Sequence, residues 1–322
     1  MGLVIATIVA QYLRSMRNVL ISLSGPTAIG KTALAIALAQ HFKTEILSAD
    51  SRQFFAEMQI GTAVPNAAEM AAAPHHFIQH RSIFEDYSVG RYMEDAHLKL
   101  RELFVKHPVL ILVGGSGLYI DAVTSGLDDF PDIDPDIRLE LNTQFHDFGI
   151  EALQKQLKIK DPKYYNQVDL QNPQRLIRAL EVCLGSGKPY STFLGNRTTP
   201  NFFSHLPVGI TAPRPVVYSR IETRVDQMMS QGLLEEARGL YPHRELNALR
   251  TVGYQELFSY FDKQCSLEKA VLNIKQNTRR FAKRQDTWFK RDPNIIWFSH
   301  ETDSALIFNR IEKELNRLGN AQ

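Results

Sequence analysis

The sequence has few cysteines, little net charge and no long apolar run. Its 322 residues include only two cysteines, Cys183 and Cys265, whose separation predicts neither a disulfide framework nor a zinc site. No apolar run approaches the roughly 18 residues of a membrane-spanning helix, so we expect no membrane partner. The net charge is only +2. General electrostatic attraction to nucleic acid is therefore excluded, and any such binding must depend on local clusters.

The remaining composition is that of an ordinary globular protein, with 44% hydrophobic and 22% charged residues. At the amino terminus, residues 3–10 are apolar but no basic residue precedes them, which makes a poor signal peptide. Arg14 and Arg17 follow, and no acid occurs before Glu45. This pattern fits either a mitochondrial presequence or a short extension, residues 1–18, of a cytosolic protein. We favour the extension and expect a cytoplasmic monomer.

Two short apolar runs predict buried strands. Residues 19–24 precede Gly25, and residues 108–113 are stopped by Gly114. Residues 31–42 are rich in Ala and Leu and predict a helix. Such strand–helix alternation predicts an α/β domain with a parallel sheet.

A change of pattern near residue 128 predicts a second domain. Residues 128–135 are rich in Asp and Pro, and the patterns from 136 to 185 are mostly helical. Strand character returns at residues 206–211. We therefore predict a helical insertion domain over residues 131–204, within a core formed by residues 19–130 and 205–322.

The strongest motif matches the P-loop pattern G-x-x-x-x-G-K-[ST] and lies between a predicted strand and a predicted helix. Its residues are Gly25, Pro26, Thr27, Ala28, Ile29, Gly30, Lys31 and Thr32. Its glycines let backbone N–H groups point into one concavity, and the helix amino terminus adds partial positive charge. Lys31 is expected to reach the outer phosphates and Thr32 to bind Mg²⁺. The fold class is therefore α/β, with a P-loop NTPase-like parallel sheet core and a helical insertion.

A P-loop indicates polyphosphate but not necessarily a nucleoside triphosphate. In an NTPase an acid usually ends a nearby apolar strand and holds Mg²⁺. Here the run at 108–113 ends in Gly114 and Gly115 without a carboxylate. The nearest acid is Asp50, which follows another predicted strand. Because carboxyl ends of strands converge on the ligand crevice, Asp50 and Ser116 are expected to face the phosphates. Alternatively, Asp50 caps a following helix.

The carboxyl-terminal third contains a predicted helix, residues 268–291, with an apolar stripe of Ile274, Phe281 and Trp288. Its basic residues are Lys275, Arg279, Arg280, Lys283, Arg284, Lys290 and Arg291. Asp286 is the only acid between positions 275 and 291. A solvated face would usually mix the two signs, so a phosphate-rich partner is indicated. A purely structural role for these cations remains the alternative.

Motifs along residues 19–300 together resemble the tRNA dimethylallyltransferases in order and spacing. They are the P-loop, residues 50–53, 60–63 and 114–119, residues 172–175 and 178–182, residues 220–224 and 232–233, residues 251–254, and residues 278–280, 283–285 and 288. The sequence departs from the family at Ile29, where relatives often carry Ser, and at Ser116, where many carry Thr. It also has no carboxyl-terminal zinc finger of the eukaryotic kind, which favours a bacterial-type enzyme.

The resemblance implies transfer of a dimethylallyl group from its diphosphate to N6 of the adenosine just 3′ of the anticodon, with Mg²⁺ as cofactor. It implies that Asp50 accepts the amine proton, that Ser116 contacts the substrates, and that Arg224 and Lys31 stabilise the leaving diphosphate. It also implies contact between the tRNA anticodon stem-loop and Asp50, Ser51, Arg52, Gln53, Ser116, Arg138, Gln174, Arg175, Leu176, Ile177, Arg178, Arg250, Thr251, Val252, Gly253, Tyr254 and Gln255.

Three rival functions use parts of the same sequence. An adenylate isopentenyltransferase would share the P-loop chemistry but would need neither the insertion nor the basic helix. A P-loop small-molecule kinase would need ATP. A non-enzymatic RNA-binding module would not need Lys31, Thr32 and Asp50 together.

Overall fold

The structure is a computed structural model that describes residues 18–320. Apart from Asn18, the predicted amino-terminal extension lies outside the described residues. The described chain divides into two compact units: a core unit, up to Thr124 and again from Pro200, and a helical unit, Ser125–Thr199. The helical unit begins and ends earlier than the insertion predicted over residues 131–204. Among the described residues, no helix is both long and apolar enough to cross a membrane.

The core unit is built on a six-stranded sheet with the order β3-β2-β4-β1-β5-β6, in which every neighbouring pair is parallel. The strands are β1 Val19–Ser24, β2 Ile46–Ser48, β3 His75–His76, β4 Val109–Val113, β5 Ser204–Thr211 and β6 Ile296–Ser299. All carboxyl ends therefore lie at one edge of the sheet. The predicted α/β class with a parallel sheet is confirmed.

Helices of the core unit connect the strands, and the last helix follows β6. They are α1 Lys31–Phe42, α2 Ala67–Ala72, α3 Val89–Leu103, α4 Gly117–Ser125, α9 Arg214–Ser230, α10 Leu233–Leu240, α11 Tyr254–Phe261, α12 Leu267–Phe289 and α13 Ser304–Asn320. Short 3₁₀ helices span Tyr241–His243 and Asn247–Leu249.

The central strand β1 is apolar because both of its faces are covered. All six residues of β1 are buried, including Leu20, Ile21 and Leu23, whose exposed fraction is 0%. Burial of one such side chain contributes about 1.5–3 kcal/mol. This explains why a continuous apolar run, rather than an alternating pattern, predicted the strand correctly.

The helical unit contains α5 Pro135–Phe148, α6 Ile150–Lys160, α7 Pro162–Tyr165, α8 Pro173–Ser186 and a 3₁₀ helix, Tyr190–Thr192. It has its own core, to which Leu141, Leu153 and Leu180 belong. Helix α8 begins where the Asn172 side chain accepts a hydrogen bond from the Arg175 N–H, and it ends at Gly187, which has φ +69°.

Strand β3 consists of only two residues. His75 and His76 form the edge of the sheet beside β2. The His76 Nε2 lies 2.7 Å from Glu45 Oε2, so this ring is held by the protein itself.

Candidate active site

The P-loop connects the carboxyl end of β1 to the amino terminus of α1. Gly25 has φ +147°, and a Cβ added there would lie 2.6 Å from the Ile210 carbonyl oxygen. Gly30 has φ +107° and forms the amino-terminal cap of α1 without a side-chain hydrogen bond. Both positions therefore require glycine. The resulting loop directs backbone N–H groups and the positive end of α1 toward one cavity, which is an arrangement suited to phosphate.

Lys31 is turned back onto the P-loop. Its Nζ donates to the Gly25 carbonyl over 2.9 Å and to the Pro26 carbonyl over 2.8 Å. Burial lowers the pKa of Lys31 to about 8; the charge of Asp50 opposes this shift and that of Arg224 adds to it. The ammonium is thus poorly hydrated and close to a carboxylate. A bound phosphate would replace the two carbonyl acceptors with stronger, charged ones.

Two arginines on α9 donate hydrogen bonds to the P-loop. The Arg224 Nη1 donates to Thr27 Oγ1 over 3.1 Å, and the Arg220 Nη1 donates to the Ile29 carbonyl over 2.8 Å. They are four residues apart and so lie on one helix face. Burial lowers the pKa of Arg224, while the charges of Asp50 and Glu69 raise it. Arg224 is therefore a partly buried cation beside the phosphate-binding loop.

Asp50 follows β2 and faces the P-loop. Its Oδ1 accepts a hydrogen bond from the Arg52 N–H over 3.1 Å. The residues that follow form turns, and α2 begins only at Ala67. The alternative that Asp50 caps a following helix is therefore wrong. Its carboxylate lines the same cavity as Lys31 and Arg224.

Ser116 joins the loop after β4 to the loop after β2. Its Oγ accepts from the Ser51 N–H over 3.2 Å and lies 3.1 Å from Ser51 Oγ. Gly114 permits this approach, because a Cβ there would lie 2.5 Å from the Ala49 carbonyl oxygen. Ser116 thus contacts the turn that follows Asp50. It was expected to face the phosphates, but it lines the cavity that contains residues 250–253 and not the cavity that contains Lys31.

Two cavities meet at these residues. The phosphate cavity has a volume of about 690 Å³ and is lined by the P-loop from Thr27 through Thr32. The second cavity, of about 400 Å³, has a wall of apolar side chains, among them Ile221, Val225, Met228, Leu233, Ile274 and Phe281. Thr27, Asp50, Thr62, Arg224 and Met228 line both. A molecule in one cavity can therefore reach a molecule in the other at Asp50.

Most core-unit residues predicted to contact RNA border the second cavity. They are Asp50, Ser51, Arg52, Ser116, Arg250, Thr251, Val252, Gly253 and Gln255. Arg52 also donates to the Asn247 and Ala248 carbonyls, over 3.1 and 2.9 Å. Gln53 lines the phosphate cavity instead, and its Nε2 donates to the Thr62 and Ala63 carbonyls.

Three predicted RNA contacts need correction because their side chains are inside the protein. Tyr254 has an exposed fraction of 0%, and its hydroxyl donates to Glu236 Oε1 over 2.7 Å. Leu176 and Ile177 are 0% and 1% exposed in the core of the helical unit. A role for these three in RNA binding can only be indirect, through neighbours that they support.

The other predicted contacts of the helical unit are on its surface. Gln174 and Arg175 are exposed on α8. Arg138 and Arg178 lie 2.9 and 3.4 Å from the two carboxylate oxygens of Glu181. The buried Glu181 therefore holds two arginines on the same unit.

Fewer basic side chains of α12 are available to bind RNA than its sequence indicated. Lys275 forms an ion pair with Asp226 over 2.6 Å, and Arg279 forms one with Glu222 over 2.6 Å. Both acids lie on α9, a helix far away in sequence, so two of the basic residues of α12 are neutralised by this neighbour. Lys283 and Arg284 are exposed, and Arg284 lines the second cavity. The predicted apolar stripe is buried only in part. Ile274 is buried, whereas Phe281 is 37% exposed and lines the second cavity.

Sequence reasoning assigned no role to two side chains that hold the loops of the site. Gln285 of α12 accepts from the Thr27 N–H and donates to the Gly115 carbonyl, each over 2.8 Å. Glu236 of α10 accepts from the backbone N–H groups of Gln59, Ile60 and Gly61 over 2.7–3.1 Å. Both partners are distant in sequence, so no local pattern could have identified them.

The oxygen donors of the phosphate cavity fit a magnesium ion that arrives with a phosphorylated substrate. Thr32 and Asp50 both line the cavity. No cluster of three or more His, Cys, Asp or Glu suited to a metal occurs within residues 18–320. Mg²⁺ typically takes one or two protein oxygens together with substrate phosphates and waters, which this donor set can provide.

Comparison with known proteins yields consistent matches. Residues 53–292 match a family model described as IPP transferase. The chain is 58% identical over 301 residues to a tRNA dimethylallyltransferase of Christiangramia forsetii, covering 94% of this chain and 100% of that protein. It is 56% identical over 302 residues to one of Flavobacterium johnsoniae, covering 92% and 98% of the two chains.

Solved structures give the same picture. The structure of a full-length tRNA isopentenylpyrophosphate transferase from Bacillus halodurans superimposes with a TM-score of 0.70 at 35% identity, covering 94% of this chain and 98% of that one. A eukaryotic dimethylallyltransferase acting on tRNA gives a TM-score of 0.75 at 22% identity, covering 92% and 77%. The second likeness supports the fold alone.

Proposed function

The chain belongs to the IPP transferase family, and on that premise we propose that it is a tRNA prenyltransferase that catalyses the following reaction. It transfers a dimethylallyl group from dimethylallyl diphosphate to N6 of adenosine 37, next to the anticodon, in tRNAs that read codons beginning with U. Diphosphate is released. The resemblance to tRNA dimethylallyltransferases noted from sequence motifs is confirmed by the family match and by the two close relatives.

The observation that carries this proposal is the pair of cavities that share Thr27, Asp50 and Arg224. The diphosphate would occupy the phosphate cavity, against the P-loop amides and Lys31. The adenine would enter the second cavity, whose apolar wall suits a base that has left its stack. The reacting carbon and nitrogen would then meet at the shared residues.

In the reaction, the N6–C1 bond forms while the bond from C1 to the diphosphate oxygen breaks. The bonding electrons leave with the diphosphate, and N6 loses one proton. An exocyclic amine is a weak nucleophile, so C1 carries substantial positive charge in the transition state. Stabilisation of the leaving diphosphate by Lys31, Arg224 and the P-loop amides is therefore the main electrostatic contribution.

Asp50 is the group that we assign as the proton acceptor. It lines both cavities, and as an ionised carboxylate it can take the N6 proton directly. Ser116 would orient the substrate or the Ser51–Asp50 turn through its hydroxyl. Thr32 would contribute a ligand to Mg²⁺, which when bound neutralises charge on the diphosphate. We also propose that the enzyme acts as a monomer in the cytoplasm, where tRNA is found.

Incubation with unmodified tRNA and Mg²⁺ tests the proposal against its rivals. We expect label from dimethylallyl diphosphate to appear on tRNA, and none to be transferred from γ-labelled ATP. Label on free AMP but not on tRNA would identify an adenylate isopentenyltransferase. Phosphate transfer from ATP to a small molecule would identify a kinase, and either outcome would overturn the proposal.

A further inference from the structure

The P-loop is held by a side chain that belongs to none of the chemistry described above. Gln285 lies on α12 and has an exposed fraction of 5%. Both ends of its carboxamide are used: Oε1 accepts from the Thr27 N–H and Nε2 donates to the Gly115 carbonyl, each over 2.8 Å. Thr27 belongs to the phosphate-binding loop, and Gly115 precedes Ser116. One amide therefore spans the two loops that carry the phosphate site and the Ser116–Ser51 contact.

The backbone of the neighbouring loop packs closely against this amide. A Cβ added at Gly115 would collide with Gln285 Nε2 and would lie 3.7 Å from Asp50 Oδ2. One turn further along α12, the Trp288 Nε1 donates to Asp121 Oδ2 over 3.0 Å, and a Cβ at Gly117 would strike the Trp288 ring. Helix α12 thus contacts the segment 114–117 through two side chains three residues apart, and Gln285 also contacts the P-loop.

We infer that Gln285 is a positioning residue that sets the spacing between the phosphate-binding loop and the Asp50–Ser116 side of the site. The inference rests on the proposed function. Thr27 lines both cavities and accepts from Arg224, so a shift of Thr27 changes where the leaving group lies relative to Asp50. Misplacement by about 1 Å can reduce a rate by about 10²-fold without loss of binding.

The carboxamide can be replaced in two informative ways. Gln285→Met keeps the length and removes both hydrogen bonds. Gln285→Glu keeps the acceptor for Thr27 N–H, but when ionised it places an oxygen against the Gly115 carbonyl. When protonated, the same carboxyl both accepts and donates, as the amide does. Asp50, Lys31 and Arg224 are charged groups that line the cavity beside Thr27 and Gly115. Because the pKa of Lys31 is lowered to about 8, activity is compared as the ratio of variant to wild type at each pH.

We expect both variants to fold, and kcat at saturating substrates to fall about 10–100-fold for Gln285→Met with a smaller change in KM. For Gln285→Glu we expect the ratio to the wild type to rise as pH falls, because protonation restores the donor. Gln276→Met, at an exposed position on the same helix, should keep wild-type kinetics. A purely structural residue would lower the melting temperature but would show no pH-dependent rescue.

Wild-type kcat in both Gln285 variants would overturn the inference, and so would an equal loss in both that does not vary with pH. If Gln285→Met does not fold, the pH dependence of Gln285→Glu decides alone. If the wild type transfers no prenyl group, the proposed function fails separately. The inference is then decided by calorimetry with inorganic diphosphate: wild-type affinity and binding enthalpy in Gln285→Glu at every pH would overturn it, and a pH-dependent difference would support it.

Discussion

Asp50 and Lys31 line one cavity and carry opposite charges, so the charge of Asp50 affects the pKa of Lys31. Burial lowers the pKa of Lys31 to about 8, and the nearby Asp50 carboxylate opposes that shift. Without a ligand, the Lys31 ammonium is held by two backbone carbonyls. Phosphate binding and proton acceptance are therefore assigned to neighbouring residues whose contributions can be separated by kinetics.

Asp50→Asn should lower kcat by about 10²-fold or more while changing KM little, because the amide cannot accept the N6 proton. The measurement is single-turnover transfer to tRNA well below pH 8, where Lys31 keeps its proton even though the variant loses the attraction of Asp50. A raised KM with kcat intact would show that Asp50 acts in binding only.

The pKa of Lys31 predicts a second kinetic effect. Below pH 8 the side chain is charged and attracts the diphosphate; above pH 8 the free enzyme loses this charge. Because kcat/KM reports the free enzyme, kcat/KM for dimethylallyl diphosphate should fall about tenfold per pH unit above about 8. In Lys31→Arg the cation stays protonated, so the descending limb should move to higher pH. If the descending limb of the Lys31→Arg profile stays at the wild-type pH, the limb must be caused by the titration of another group.

Sequence alone predicted the residues of the site that follow strands, but not those that hold them. Lys31 and Asp50 could be placed at one cavity because carboxyl ends of parallel strands converge, whereas Ser116, which was expected there too, lines the second cavity. Gln285 reaches Thr27 across 258 positions of sequence. The motif at residues 283–285 included it in the family resemblance but did not predict that it holds the P-loop. The function of Gln285 depends on how α12 packs, which local patterns do not determine.

At the scale of elements, α12 shows that ion pairs with a neighbouring helix alter the surface charge predicted from one helix alone. Its basic residues indicated an RNA-facing surface, but Lys275 and Arg279 pair with Asp226 and Glu222 of α9. Similarly, the two-residue strand β3 exists only because β2 lies beside it. Long elements such as α1 and β1 were predicted correctly because their own apolar patterns determine them.

The pairing on α12 predicts different salt effects for two lysines of the same helix. Lys283 is exposed, so Lys283→Gln should weaken tRNA binding and reduce the slope of log affinity against log salt by about one, for one lost phosphate contact. Lys275 is already paired with Asp226, so Lys275→Gln should leave the slope nearly unchanged. Affinity is measured by filter binding over a salt series, with dimethylallyl diphosphate affinity as the control. Equal slopes in the wild type and Lys283→Gln would make the helix structural.

At the scale of the whole molecule, the two units have separate cores. The core unit holds the sheet, the P-loop and both cavities, whereas the helical unit packs α5, α6 and α8 around its own leucines. The sequence predicted this division from the change of composition near residue 128. The predicted insertion, residues 131–204, and the helical unit, Ser125–Thr199, differ by a few residues at each end, because turn-rich segments do not show where packing against one core ends and packing against the other begins.

The chain enters and leaves the helical unit side by side, which allows the unit to be removed. Asp128 and Arg197 form an antiparallel bridge, and a Cβ at Gly126 would strike the Thr198 carbonyl. Replacing residues 127–197 by about four glycines should therefore add little loop-closure cost and leave the core unit folded.

This shortened protein should bind dimethylallyl diphosphate with affinity within a few-fold of the wild type, because the P-loop, Lys31 and Arg224 all belong to the core unit. We expect transfer to tRNA to fall by at least about 10²-fold, since the exposed Gln174 and Arg175 and their neighbours are predicted to position the anticodon stem-loop. Calorimetry with the diphosphate shows whether the core is intact, and transfer to tRNA measures the loss. The variant Gln174→Ala/Arg175→Ala in the full chain is the matched control and should show a smaller defect of the same kind. If the shortened protein binds the diphosphate and still modifies tRNA at the wild-type rate, the helical unit has no part in RNA recognition, and the core unit alone must select the adenosine.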